Sequence, residues 1–150
     1  MNDVIINHSK LEDIYNHLTR LDKEFVPALS SYTEINLYSK KLFEKSIRFE
    51  IWNKELLVGL LAVYENSTKD EIFISNFSVE KKGQRRGIAQ DLYDKCINEV
   101  YHKTSFKNVY LEVNMLNKRA MKFYFKNGFV KSQTSGNNKI QLKKSLNDWN

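Results

Sequence analysis

The run Leu56–Tyr64 is apolar on both faces and holds one glycine, Gly59. A strand that must hide both faces belongs at the centre of a sheet. A membrane helix needs about twenty apolar residues, so this run is too short to be one. Its neighbours fix the surroundings. Ile47–Trp52 precedes it across an Asn53-Lys54 turn, which predicts a hairpin. The polar turn Glu65–Asp70 leads into a third long strand, Glu71–Val79. Three strands in succession, joined by short polar turns, commit the middle of the chain to an antiparallel sheet.

The period then changes. From Gly87 to about Lys103, Ile88, Leu92, Cys96, Ile97 and Val100 fall on one stripe, which predicts an amphipathic helix. Val109, Leu111 and Val113 alternate with Tyr110, Glu112 and Asn114 and predict a strand. Asn117–Lys126 reads as a helix with Ala120, Phe123 and Tyr124 on one face, ended by Asn127-Gly128. Phe129–Ser132 and Lys139–Lys143 bracket a closing hairpin.

Upstream, Val4–Ile6 reads as a short strand. Lys10 to about Phe25 carries Leu11, Ile14, Tyr15, Leu18 and Leu21 at helical spacing, with Ser9 as N-cap. Val26-Pro27 should stop or kink that helix. Ala28–Thr33 reads as loop and Glu34–Ser46 as a second helix. The expected fold is a mixed α/β (α+β) domain. A mostly antiparallel sheet contains one strand–helix–strand crossover and is flanked by about four helices.

The 150 residues fit a single domain spanning 1–150. A hydrophobic content of 41% and a charged content of 28% suit a globular protein. The formal charge of +6 favours anionic partners without choosing among them. The lone Cys96 excludes an intrachain disulfide, and a cytoplasmic setting is expected. No Cys/His cluster has metal-ligand spacing, so no metal is expected. Neither a membrane nor a nucleic-acid partner is expected. Basic residues do not interleave with aromatics as in a single-strand binder. Monomer and homodimer both remain open.

Gln84-Arg85-Arg86-Gly87-Ile88-Ala89 lies between the third strand and the central helix. Backbone N–H groups at a glycine turn that opens into a helix can seat a phosphate. Alone, the loop also reads as a solvated basic turn, the commoner meaning of so short a match. A second block follows: Leu111, Val113, Asn117, Ala120, Phe123, Tyr124, Gly128 and Phe129. With both blocks in order, the chain resembles the GCN5-related N-acetyltransferase (GNAT) family of acyl-coenzyme A-dependent enzymes, specifically over about residues 71–130.

The resemblance implies acetyl transfer from acetyl-CoA to a primary amine, in one step, within a fold whose two parallel strands splay. It implies that Phe77 and Val79 border the pantetheine arm and that Gln84, Arg85, Arg86, Gly87, Ile88 and Ala89 hold the pyrophosphate. Gly87 would let the backbone approach closely. Asn117, Ala120 and Phe123 would lie beside the arm. Tyr124 would be the general acid, since a phenol is protonated at neutral pH. Plain capping also explains Asn117, and plain packing explains Ala120, Phe123 and Tyr124.

A base is not evident. Ile74–Val79 holds no acid, and Glu50, Glu65, Glu71 and Glu112 read as solvent-facing or remote. Proton removal through water and Ser75 or Asn76 is an alternative, as is capture of the neutral amine fraction. Cys96 reads as core, and His8, His17 and His102 as surface. Phe25, Pro27, Tyr32 and Ser75 are candidate acceptor contacts, and Glu24 and Glu34 are possible attractors of a cation. A small-molecule amine is the first expectation for the acceptor and a protein amine the second. The competing class is a non-catalytic module that binds coenzyme A or RNA.

Overall fold

The computed structural model describes residues 2–81, 87–102 and 106–146. In chain order the elements are β1 (Ile5–Ile6), α1 (Leu11–Leu21), 3-10 turns at Asp22–Glu24 and Leu29–Ser31, α2 (Ile35–Lys45), β2 (Ile47–Asn53), β3 (Leu56–Asn66), β4 (Glu71–Val79), α3 (Ile88–Tyr101), β5 (Asn108–Asn114), α4 (Lys118–Lys126), β6 (Val130–Gly136) and β7 (Lys139–Ser145). The strands form one seven-stranded sheet in the order β1-β2-β3-β4-β5-β7-β6. Every neighbouring pair is antiparallel except β4 and β5.

The two faces of β3 explain the layers. Leu57 to Val63 are all buried, as a central strand requires. Leu60 and Ala62 meet Ile14 and Leu18 of α1 and Leu42 of α2 on one face. Leu61 and Val63 meet α3 through Ile88, Leu92, Cys96, Ile97 and Val100 on the other. Gly59 sits where α3 comes closest. A Cβ there would lie 2.8 Å from Ile88 Cγ2 and 3.1 Å from Leu92 Cδ1.

A bulge in β4 positions the site. Ala62 pairs with Asn76 and Val63 with Ile74, so Ser75 is the extra residue. Ile72 and Ile74 therefore join the α3 core. Beyond the bulge, Asn76 and Ser78 pair with Ala62 and Leu60. Those partners face α1 and α2, so polar side chains are carried beneath these two helices.

Three local expectations are corrected. Ser9 is not the N-cap of α1. Lys10 holds that position, with the Asp13 carboxylate accepting its N–H at 2.9 Å. Ser9 is buried instead and donates from its backbone and hydroxyl to Glu50. Glu50 is likewise not solvent-facing. It is fully buried, 3.3 Å from Arg48. Arg48 in turn donates to the carbonyls of Leu42 and Phe43 at the end of α2. Arg48 thus satisfies the end of α2 while Glu50 holds the backbone of His8 and Ser9 ahead of α1, and these bonds offset the cost of burying the two charges. Finally, α1 stops at Leu21 rather than near Phe25, and part of the Ala28–Thr33 loop is a 3-10 turn.

Candidate active site

β4 and β5 pair only through Glu71↔Asn108, Ile72↔Val109 and Phe73↔Tyr110. Past that point β4 stays with β3 as far as Val79, and β5 stays with β7 as far as Asn114. The two strands diverge and open a gap. The Glu80 N–H donates to the Val58 carbonyl at 2.8 Å. Alternation in an antiparallel ladder then turns the backbone N–H and C=O of Val79 and Phe77 away from β3 and toward the gap.

Two clefts meet at this gap. The first, of about 580 Å³, runs past Phe77, Val79, Gly87, Ile88, Ala89, Asn117, Ala120, Phe123 and Tyr124. The second, of about 380 Å³, is lined by Phe25, Pro27, Tyr32, Tyr38, Ser75, Asn76 and Glu112, among others. Phe25, Phe77, Asn117, Ala120 and Tyr124 border both. The structure thus brings the sequence-predicted residues together, apart from Gln84, Arg85 and Arg86, which lie outside the described residues.

Gly87 is the N-cap of α3, with φ +79. That left-handed conformation favours glycine. Among the described residues the nearest neighbour of a Cβ there is Asp91 Oδ2 at 3.9 Å, so within the protein itself the demand for glycine is conformational and not steric. The first-turn N–H groups of α3 have no partner within the helix and border the first cleft. Lys81, Arg119 and Lys126 add positive charge to its wall. These cations were not singled out from the sequence. The seven-residue spacing of Arg119 and Lys126, two turns on one face of α4, is the signal that could have found them. Asp91 holds the backbone and side chain of Asn2 at 2.8 and 2.9 Å, and these bonds keep its carboxyl below the usual range.

Tyr124 is 8% exposed, and its ring lies 5.5 Å from Phe129 and 6.3 Å from Phe77. Burial pushes its hydroxyl above the ordinary phenol range, so it is protonated at neutral pH. Asn117 caps α4 by accepting the Ala120 N–H at 3.2 Å. Gly128, at φ +92, ends that helix, and the Phe129 N–H returns to the Tyr124 carbonyl at 3.0 Å. The Tyr124 side chain is therefore held from both ends of a short helix. Cys96 is core, and burial raises its thiol well out of reactive range.

His17 is a correction. It is fully buried and not at the surface. Its Nδ1 lies 3.0 Å from the Leu57 carbonyl and its Nε2 2.9 Å from Ser78 Oγ. Desolvation is the largest cause of a pKa lowered to about 4. Ser78 Oγ lies 2.7 Å from the Asn76 amide. The Tyr38 hydroxyl sits 2.9 Å from the Ser75 carbonyl and 2.8 Å from Ser75 Oγ, and desolvation pushes it up to about 12. Of the four carboxylates weighed as a base, Glu112 borders the second cleft, Glu50 is held by Arg48, and Glu71 lies 3.9 Å from Lys143 where the strands are still paired.

A sheet split between two parallel strands, with a helix start aimed into the split, defines an architecture for acyl-coenzyme A chemistry. The model of the acetyltransferase (GNAT) family matches residues 11–129, so the chain belongs to that family and is an acyltransferase. A search of curated proteins finds no match. Among solved structures, the PaiA N-acetyltransferase of Thermoplasma acidophilum, in complex with coenzyme A, superposes with a TM-score of 0.72 at 17% identity, over 95% of this chain and 99% of that one. An aminoglycoside 6'-acetyltransferase type Ii gives 0.74 at 16% identity, over 95% and 97%. The ribosomal-protein-S18-alanine N-acetyltransferase of Escherichia coli gives 0.73 at 17% identity, over 96% and 94%. Among the described residues no helix is long and apolar enough to cross a membrane, and no cluster of His, Cys, Asp and Glu has the makings of a metal site.

Proposed function

We propose that this protein transfers the acetyl group of acetyl-CoA directly to the primary amine of a small molecule. The observation that carries the reading is the position of Tyr124 in the wall shared by the two clefts. One cleft has the attributes an acyl-CoA needs: strand backbone turned into a gap, helix N–H groups with no partner within the helix, and three cations. The other has a volume of about 380 Å³, suited to a compact ligand, and Lys139 reaches over the Tyr32 ring at 5.4 Å across its lining.

Acetyl-CoA, when bound, supplies an activated acyl carbon and a sulfur leaving group. The Val79 N–H would donate to the carbonyl oxygen as negative charge develops there. The attacking nitrogen would shed a proton to water in the cleft as the amide forms, and Tyr124 would pass its own proton to the departing sulfur and regain one from that water. Gly87, Ile88 and Ala89 would hold the pyrophosphate with their main-chain N–H groups, helped by Lys81, Arg119 and Lys126. Gln84, Arg85 and Arg86 belong to the same proposal from sequence. Asn117, Ala120, Phe123 and Phe77 would flank the arm, and Phe25, Pro27, Tyr32 and Ser75 the acceptor.

The test pairs calorimetry with free-thiol release against spermidine, kanamycin, glycinamide and a peptide with a free N-terminal alanine. Saturable binding of acetyl-CoA, with turnover on one of the first three, is expected. Turnover on the peptide alone would move the acceptor to proteins. Binding without turnover on any amine would favour a non-catalytic module, and no association with acetyl-CoA at millimolar concentration would end the reading.

A further inference from the structure

The polar line from His17 to Tyr38 has a direction, and the Leu57 carbonyl sets it. That oxygen only accepts. It takes a bond from Arg20 Nη2 at 2.9 Å and faces His17 Nδ1 at 3.0 Å. Nδ1 must therefore carry a proton. A second proton on the ring would place a fully buried imidazolium beside the Arg20 guanidinium, so the ring is neutral and Nε2 offers a lone pair. Ser78 Oγ, at 2.9 Å, must fill it with its hydroxyl proton.

Ser78 then has no proton left for the Asn76 amide 2.7 Å away. The two ends of an amide are alike in shape, and the hydrogen-bond chain decides which one faces Ser78. Asn76 must donate Nδ2–H to Ser78 Oγ. Its Oδ1 is thereby turned away from Ser78. Tyr38, Ser75 and Asn76 all border the second cleft. Five oxygens border or adjoin it: the Asn76 amide, the Ser75 carbonyl, and the hydroxyls of Ser75, Tyr38 and Tyr64. Only the three hydroxyls bring protons. The floor of the cleft has more acceptors than donors, and a ligand with N–H groups corrects the balance.

We propose that Ser75, Asn76 and Tyr38 form the seat of the acceptor's amino group, and that His17 is the positioning residue that fixes their polarity through Ser78. This rests on the acetyl-transfer reading above and gives that reaction an amine-binding site built without a carboxylate. The amine nitrogen donates into the oxygen-rich floor and keeps its lone pair for the acyl carbon. The bulge at Ser75 makes the seat, because it brings Asn76 and Ser78 round to the α1 and α2 side of the sheet.

The first test needs no acceptor. Long-range proton–nitrogen NMR on the full chain with nitrogen-15 histidine, at pH 7, should show His17 neutral with its proton on Nδ1. A proton on Nε2, or on both nitrogens, overturns the polarity. The second test is steady-state kinetics at saturating acetyl-CoA, with spermidine, kanamycin and glycinamide as probes in turn. Tyr38→Phe and Ser75→Ala should each raise KM for the amine about tenfold and leave KM for acetyl-CoA within about twofold. Ser78→Ala, which unlinks His17 from Asn76, should raise the amine KM by about threefold. A merely structural role would lower the melting temperature without separating the two KM values. Unchanged amine KM in Tyr38→Phe and Ser75→Ala sinks the seat alone, and unchanged amine KM in Ser78→Ala removes His17 from its role. Failure of the wild type to acetylate any of the three sinks the reading of transfer to a small-molecule amine, and the seat falls with it.

Discussion

Two side chains carry the sharpest expectations. If Tyr124 delivers a proton to the leaving sulfur, Tyr124→Phe removes that proton while keeping a ring against Phe77 and Phe129. Turnover should fall by roughly 10²-fold with little change in acetyl-CoA affinity, since general-acid contributions are commonly of that size. Pre-steady-state thiol release together with calorimetry separates the two quantities, and full turnover would return Tyr124 to plain packing. His17 answers to stability. The unfolded ring takes up a proton near pH 6.5, and the native ring holds out to about pH 4. A depressed native pKa means that stability is intact above pH 6.5, declines as the pH falls toward 4 and then levels. By pH 5 the loss from this ring should be roughly 2 kcal/mol. Asp22 and Asp91, both held low by hydrogen bonds, act at more acidic pH. Urea unfolding at pH 7 and pH 5 should show the loss in the wild type and not in His17→Phe; equal losses would refute neutral burial. The placement of Tyr124 and Asn117 was legible in the sequence because both lie on one short helix whose ends are marked by Asn117 and by Asn127-Gly128. His17 and Glu50 were not. Their burial depends on partners some forty residues away, Leu57 for one and Ser9 for the other. No local pattern distinguishes such a residue from a solvated one.

The elements were read best where the signal is local. The predicted bounds of β4, Glu71–Val79, are those observed, because alternation begins and ends at polar turns. The divergence of β4 from β5 left no such mark. It sets in beside a bulge at Ser75, with no glycine or proline to announce it. The close approach at Gly59 is likewise revealed only by packing. In the sequence this glycine is one residue in an apolar run, whereas in the structure it lets α3 lie against β3 with Ile88 foremost. Ile88 is also the first residue of α3, the end that opens onto the first cleft. A methyl group at Gly59 must push Ile88 away. We expect Gly59→Ala to cost about 1–3 kcal/mol, in the usual range for overpacking. It should also weaken acetyl-CoA binding, because the N–H groups of the first turn move with Ile88. Chemical unfolding and calorimetry on one preparation test both. A variant that loses stability but keeps full affinity would show that the start of α3 is not what grips the ligand.

For the molecule as a whole, the sheet consists of two parts that barely touch. β1–β4 and β5–β7 share three register pairs at one end and are otherwise joined through the core that packs α3 against them. An acyl-CoA in the gap would therefore touch both parts and hold them together. Free energy from a ligand specific to the native state grows with the logarithm of its concentration, reaching about 2.7 kcal/mol at a hundredfold excess over Kd. Where it acts can be read amide by amide. Phe77 and Val79 direct their N–H groups into the gap, whereas Ile72 lies where β4 and β5 are still paired. Acetyl-CoA should slow hydrogen exchange at Phe77, Val79 and the first turn of α3, and change Ile72 little. Fragments of the ligand sharpen the point. Pantetheine carries the amides that pair with strand backbone but no phosphate, so it should protect Phe77 and Val79 and leave Ile88, Ala89 and Gln90 exchanging freely. The 3′-phosphorylated ADP portion should do the reverse. Its binding should also weaken with salt, because Lys81, Arg119 and Lys126 line that end of the cleft in a chain of net charge +6. Protection of the α3 amides by pantetheine, or of the strand amides by the nucleotide, would mean that the ligand lies the other way round in the cleft, and Tyr124 would then face the wrong end of it.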